Sequence, residues 1–209
     1  MRPKPIKLSR LVKSGRLSPM SPVVLISEKL GIEWLNIFDD EYVYGPTPGI
    51  VEVAELMMTQ LKPKTAIDLF GGSGALSKLA LKKKVRKVIY VDLYPEAAML
   101  NLKGHKQIKI VKQDALTFLE ENREYCDLLL IDPPEELIDE VLSRISRIRK
   151  IIKKAGLIWI GPIRTSNRRI RKMKRTRATT FINAWGDSFM VIWKPGFGEK
   201  IKKVKYLVE

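Results

Sequence analysis

From position 65 onward two apolar patterns alternate along this chain, and that alternation restricts its fold more than any other feature. Five short runs rich in Ile, Val and Leu, at 65–70, 87–92, 107–111, 126–132 and 156–161, have the length of buried strands. Between them lie segments with helical spacing at 74–83, 95–103, 115–121 and 135–154, the last long and amphipathic. Repeated strand–helix units build a parallel sheet with helices on both faces, so a Rossmann-like α/β doubly wound fold is expected.

After the fifth strand the rhythm changes. Two β-like runs at 179–184 and 188–193 are separated only by Trp185, Gly186 and Asp187, the spacing of a hairpin. The expected sheet therefore has seven strands and ends in an antiparallel hairpin. Upstream, Ser21 and Pro22 suit the cap and first turn of a helix that Gly31 would stop. The breaker cluster Gly45-Pro46-Thr47-Pro48-Gly49 then leads into a helix at about 50–61. The organisation expected is a basic extension over 1–45 followed by the main domain over 46–209.

The chain has 209 residues, enough for one main domain with a real core. A single cysteine, Cys126, excludes an internal disulfide and a cysteine-based metal cluster, and no metal site is expected. No apolar run has the length of a membrane span, so a cytoplasmic protein without membrane partners is expected. The formal net charge of +16 is unevenly placed. Positions 1–27 hold six Lys or Arg and no acid, and 141–186 hold fourteen and again no acid. The remainder carries 19 basic and 23 acidic residues. Segregated positive charge is the footprint of a surface that meets a polyanion.

The segment Asp68-Leu69-Phe70-Gly71-Gly72-Ser73-Gly74 lies where a strand ends and a helix begins. Glycines there allow a tight turn and close approach of a nucleotide-like ligand. Asp92, eighteen residues beyond Gly74 at the end of the second strand, is placed to hold ribose hydroxyls. Gly72, Gly74 and Ser77 also approximate a dinucleotide fingerprint, but Asp68 at the mouth of the turn would repel a pyrophosphate. A carboxylate attracts the ammonium and sulfonium of S-adenosylmethionine instead.

With these residues in register, the chain resembles the class I S-adenosylmethionine-dependent methyltransferases from about position 65 to 193. The resemblance implies that Asp68, Gly72 and Gly74 form the first cofactor motif, Asp92 the ribose-binding acid, and Asp114 with Ala115 the adenine-contacting motif. Phe70, Gly71 and Leu93 complete the cofactor-binding candidates. Leu129, Ile131, Asp132, Pro133 and Pro134 at the end of the fourth strand resemble the Asp-Pro-Pro-aromatic motif of enzymes that methylate exocyclic base amines.

An aromatic amine is a poor nucleophile because its lone pair is delocalised. An Asp132 carboxylate and a Pro133 carbonyl accepting its N–H protons would favour the geometry for attack. Asp132 can also be read as a helix cap, with Pro133 in the first turn. Glu135 stands where amine methylases place an aromatic residue, which leaves the target atom open. Phe70, Tyr94, Tyr44 and Trp159 are the aromatic residues that can replace it. Cys126 lies roughly 20 Å from Asp132 along an extended strand, which excludes thiolate-dependent carbon methylation. His105, the single histidine, has no evident partner.

The densest basic segment carries Arg164, Arg168, Arg169, Arg171, Lys172, Lys174, Arg175 and Arg177 directly after the fifth strand. A loop there emerges on the same sheet edge as Gly72, Asp92 and Asp132. The expected substrate is RNA, tRNA or rRNA, with this segment on the phosphates and one unpaired base near Asp132. Two other readings stay open: a methyltransferase of a protein or small molecule, and a non-catalytic RNA-binding protein on the same fold.

Overall fold

The computed structural model describes residues 3–38, 42–173 and 178–208. It opens with strand β1 (Lys4–Lys7), helix α1 (Leu8–Lys13), helix α2 (Pro22–Leu30), and strands β2 (Trp34–Phe38) and β3 (Tyr42–Tyr44). The three strands pair antiparallel in the order β1-β2-β3. Helix α2 begins and ends where its sequence dictates. The Ser21 hydroxyl accepts from the Val24 amide at 3.4 Å, and Gly31 closes the helix with φ 71°.

Helix α3 (Pro48–Leu61) begins two residues earlier than expected, because Pro48 is already preset for a first helical turn. There follow β4 (Thr65–Leu69), α4 (Ala75–Lys82), β5 (Lys87–Asp92), α5 (Glu96–Asn101), β6 (Ile108–Lys112), α6 (Ala115–Glu121) and β7 (Cys126–Ile131). The chain continues through a short 3-10 turn (Glu135–Leu137), α7 (Ile138–Ser143), α8 (Ile145–Ile151), β8 (Ile152–Pro162) and α9 (Ile163–Met173). It closes with β9 (Thr179–Ala184), β10 (Asp187–Trp193) and α10 (Gly198–Val208).

The large sheet has the strand order β6-β5-β4-β7-β8-β10-β9. Pairings are parallel from β6 to β8, and β10 runs antiparallel to both β8 and β9. This is the expected doubly wound, mostly parallel sheet of seven strands with its terminal hairpin. At the hairpin tip Trp185 and Gly186 both have positive φ, the backbone that a two-residue turn of this hand requires. Asp187, expected in the connection, is the first residue of β10.

Alternate residues of the buried strands feed two cores. Leu128, Leu130, Leu157 and Val191 pack with Ile50, Val53 and Met57 of α3 and with Ile201 and Val204 of α10. Leu129, Ile131 and Ile158 face the other way, against Leu116, Leu119, Ile138, Val141 and Ile148.

Three elements depart from the sequence expectation. The segment 135–154 is a broken set of short helices, interrupted at Arg144, and ends at Ile151. Residues 152–155 join β8 because Ile152 and Ala155 pair with β7, and Ala155 also with β10, which outweighs the helical preference of two lysines and an alanine. The basic segment after β8 is helical through Met173 rather than a loop, and α10 was not anticipated. Among the described residues no helix is long and apolar enough to cross a membrane.

Candidate active site

The carboxyl ends of β5, β4 and β7 bring three candidate residues into a row. Val91 pairs with Leu69 and Leu69 with Ile131, so Asp92, Phe70 and Asp132 emerge side by side on neighbouring strands. Two strand spacings, about 10 Å, separate the outer pair.

Between them runs the glycine turn, which is tightly wound. Phe70, Gly72 and Gly74 have φ of 58°, 52° and 82°. The left-handed Phe70 costs about 1–2 kcal/mol that glycine would not, a strain held by the surrounding packing. A Cβ on Gly71 would lie 2.2 Å from the Tyr90 ring, whereas one on Gly72 would meet open space. The buried Tyr90 braces the turn from beneath, its hydroxyl donating to the Gly72 carbonyl at 2.7 Å.

Asp68 sits below the turn, fully buried. One oxygen accepts from the Ser77 amide at 2.9 Å and the Ser77 hydroxyl at 2.6 Å. The other, Oδ1, is buried without a partner. Burial pushes the carboxyl up to about 7, the Ser77 hydrogen bonds pull against that, and the charge of Asp92 adds to it. The permanent negative charge expected of Asp68 is therefore poised near neutrality, and a cation at Oδ1 would restore it. Ser77, which looks from the sequence like a stand-in for a third glycine, is the carboxylate's anchor.

Asp92 accepts from the Gly72 amide at 2.9 Å and the Tyr94 amide at 2.7 Å, fixing the second acid to the turn. Burial raises its pKa, the backbone donors oppose the shift, and Glu96 reinforces it. Leu93 beside it is exposed. Asp114 caps α6, accepting from the Thr117 amide at 2.7 Å, and so sets the buried Ala115 at the first helical position.

Asp132 follows the last residue of β7, and its amide reaches the Leu69 carbonyl at 3.4 Å. Pro133 is buried, and Pro134 leads into the 3-10 turn, which has no side-chain cap. The cap reading of Asp132 fails, since Pro134 is the N-cap of that turn. Burial pushes this carboxyl up to about 7, with the neighbouring Thr47 hydroxyl pulling it down and the charges of Asp68 and Asp187 pushing it up. Glu135 is exposed.

Nothing local in the sequence marks the site's remaining wall. The buried Asn101 accepts from the Glu33 and Trp34 amides at 3.0 Å and donates to the Trp34 and Ser73 carbonyls at 2.8 Å, joining the small sheet to the glycine turn. Asn36 donates to the Tyr94 carbonyl at 3.0 Å and accepts from the Ala97 amide at 3.3 Å, joining it to the segment after Asp92. Thr47, in the breaker cluster, is the neighbour whose hydroxyl lowers the pKa of Asp132.

Helix α9 rises from the same sheet edge. Arg164, Arg168 and Arg171 are exposed and spaced to lie along one helical face. Arg169 pairs with Asp139 at 2.8 Å instead. Ser166 holds the helix down through a 2.8 Å hydrogen bond to Ser188. Lys172 lies in α9, while Lys174, Arg175 and Arg177 fall outside the described residues.

Residues 42–183 match the model of the family described as conserved hypothetical protein 95. The chain belongs to that family. The match begins at β3 and runs into β9, so it takes in the glycine turn, Asp92, Asp132 and α9. No curated protein sequence matches the chain. Among solved structures it is similar to a methyltransferase from Geobacter sulfurreducens, at 16% identity and TM-score 0.57, over 89% of this chain and 98% of that one. It is also similar to the N-methyltransferase NodS from Bradyrhizobium japonicum in complex with S-adenosyl-L-homocysteine, at 17% identity and TM-score 0.54, over 70% and 85%. At these identities the likeness establishes that this family member has the class I methyltransferase fold.

Proposed function

We propose that the chain is an S-adenosylmethionine-dependent methyltransferase of the cytoplasm that acts on RNA, tRNA or rRNA, at an exocyclic base amine. The observation that carries the reading is Asp132 of the Asp-Pro-Pro segment, which caps no helix and stands one strand from the glycine turn in a row with Asp92. The orphaned Asp68 oxygen, the open space over Gly72 and the fixed Asp92 carboxylate suit a ligand bearing an ammonium, a nucleoside and ribose hydroxyls. Asp68, Gly72, Gly74 and Asp92 would hold it, with Asp114, Ala115, Phe70, Gly71 and Leu93 around the adenosine. Bound there, it supplies an activated methyl group.

What the protein's own residues contribute is alignment and proton acceptance. The Asp132 carboxylate and the Pro133 carbonyl would take hydrogen bonds from the amine, directing its lone pair, and ionised Asp132 would receive a proton as nitrogen gains the methyl. Two consecutive prolines stiffen that segment. The Arg164, Arg168 and Arg171 stripe, on the same edge, is suited to phosphates. A salt titration of RNA binding tests the substrate class. Affinity should fall log-linearly and steeply with salt, and an affinity or turnover indifferent to salt would favour a small-molecule substrate instead.

A further inference from the structure

The exposed Glu135 leaves the amine-methylation motif without its aromatic member, and four aromatic residues stand near enough to be weighed in its place. Phe70 packs into the core beneath the sheet edge. Trp159 is engaged between the two cores. Tyr94 lies edge-on to Phe38, with ring centroids 5.8 Å apart. All three are only partly exposed.

Strand β3 exposes its aromatic rings further. Its alternation turns Val43 towards the core and leaves Tyr42 and Tyr44 on the other side, 62% and 38% exposed. The two rings meet edge to face at 5.2 Å, and Phe38 supports Tyr44 at 5.5 Å, so the pair is a braced surface and not two free side chains. Its position is fixed from both ends. Tyr44 is register partner to Asn36, which is bonded to the Tyr94 carbonyl two residues beyond Asp92. Three residues later Thr47 precedes α3, and its hydroxyl lowers the pKa of Asp132. Tyr44 thus lies on the segment between the two acids, and burial, then the charges of Tyr42, Glu136, Asp132 and Asp92, raise its phenol pKa.

We propose that Tyr42 and Tyr44 form a stacking platform that holds a single unpaired nucleobase against Asp132, in the role left open by Glu135. This rests on the reading of Asp132 as a base-amine site. The small N-terminal sheet then has a substrate-binding role. It brings the stacking surface in from a separate sheet instead of from the residue after the prolines. A base is held by its π-face there, so the platform tolerates any base, and discrimination falls to the hydrogen bonds at Asp132 and Pro133.

The test uses the full chain with S-adenosylhomocysteine and a short single-stranded RNA carrying one 2-aminopurine, whose fluorescence is quenched on stacking. The wild type and Tyr44→Phe and Tyr44→Trp variants should quench. Tyr44→Leu should lose the quench and bind the RNA ~5- to ~100-fold more weakly, the range one stacked base is worth, with unchanged S-adenosylhomocysteine affinity. Quenching and affinity in Tyr44→Leu equal to wild type, or RNA binding by the wild type without any quench, would overturn the platform. Quenching by a wild-type chain that transfers no methyl to RNA would sink the activity and leave the platform standing. Absence of RNA binding would remove both.

Discussion

Asp68 and Asp132 are both pushed up to about 7 by burial, and the charge of the first raises the second. Each therefore takes up a proton as pH falls through neutrality, well above the ordinary carboxylate range. In the stability of the fold the sign follows directly. A carboxyl raised from 3.8 to about 7 favours the folded state below the unfolded pKa, and that contribution is lost as pH rises through 7. Asp132→Asn should therefore stabilise the protein at pH 8, by on the order of 2 kcal/mol after allowing for partial solvent access, and the gain should shrink towards pH 5. Chemical denaturation at the two pH values checks it. The same substitution should lower turnover at least ~100-fold while cofactor affinity changes little, a stability gain bought with function. A second expectation at this scale concerns Asp68. If its ionised form holds a cation, S-adenosylmethionine affinity should weaken as pH drops below 7, by up to about tenfold per unit, and a flat calorimetric profile between pH 6 and 8 would contradict that role.

At the scale of elements, the small sheet is fastened to the main domain by two buried amides. Asn101→Ala would leave the Glu33 and Trp34 amides and the Trp34 and Ser73 carbonyls unpaired. A loss of about 2–3 kcal/mol is expected, with weakened cofactor affinity because Ser73 belongs to the glycine turn. Urea unfolding and calorimetric titration of the same variant measure the two effects. Elements whose signal is local were legible in the sequence. Asp68 to Gly74, Asp92 and Asp132 are ordered by the apolar period of the strands that end at them, and Ser21, Pro22 and Gly31 mark their helix outright. What the sequence concealed is long-range. Asn36 and Asn101 find partners some sixty residues away, and nothing around them distinguishes a tether from a surface amide. The start of β8 was hidden for the same reason, since Lys153 and Lys154 are carried into the strand by the long-range pairing of Ile152 and Ala155 on either side of them.

At the scale of the whole molecule, the segregation of charge acquires a direction. Helix α9, inside the acid-free stretch 141–186, follows β8 directly, so the basic stripe and Asp132 share one edge of the sheet. Reversing Arg164, Arg168 and Arg171 together to Glu should weaken RNA binding more than tenfold and flatten its salt dependence, with cofactor affinity unchanged. Unaltered RNA affinity in that variant would make the stripe a merely solvated face. The account as a whole turns on one transfer. Radiolabelled methyl from S-adenosylmethionine should appear in total RNA, and not in separate pools of protein or DNA, and the label should vanish with Asp132→Ala. Label confined to protein or DNA, label in RNA that survives the substitution, or a chain that binds no S-adenosylmethionine would contradict it.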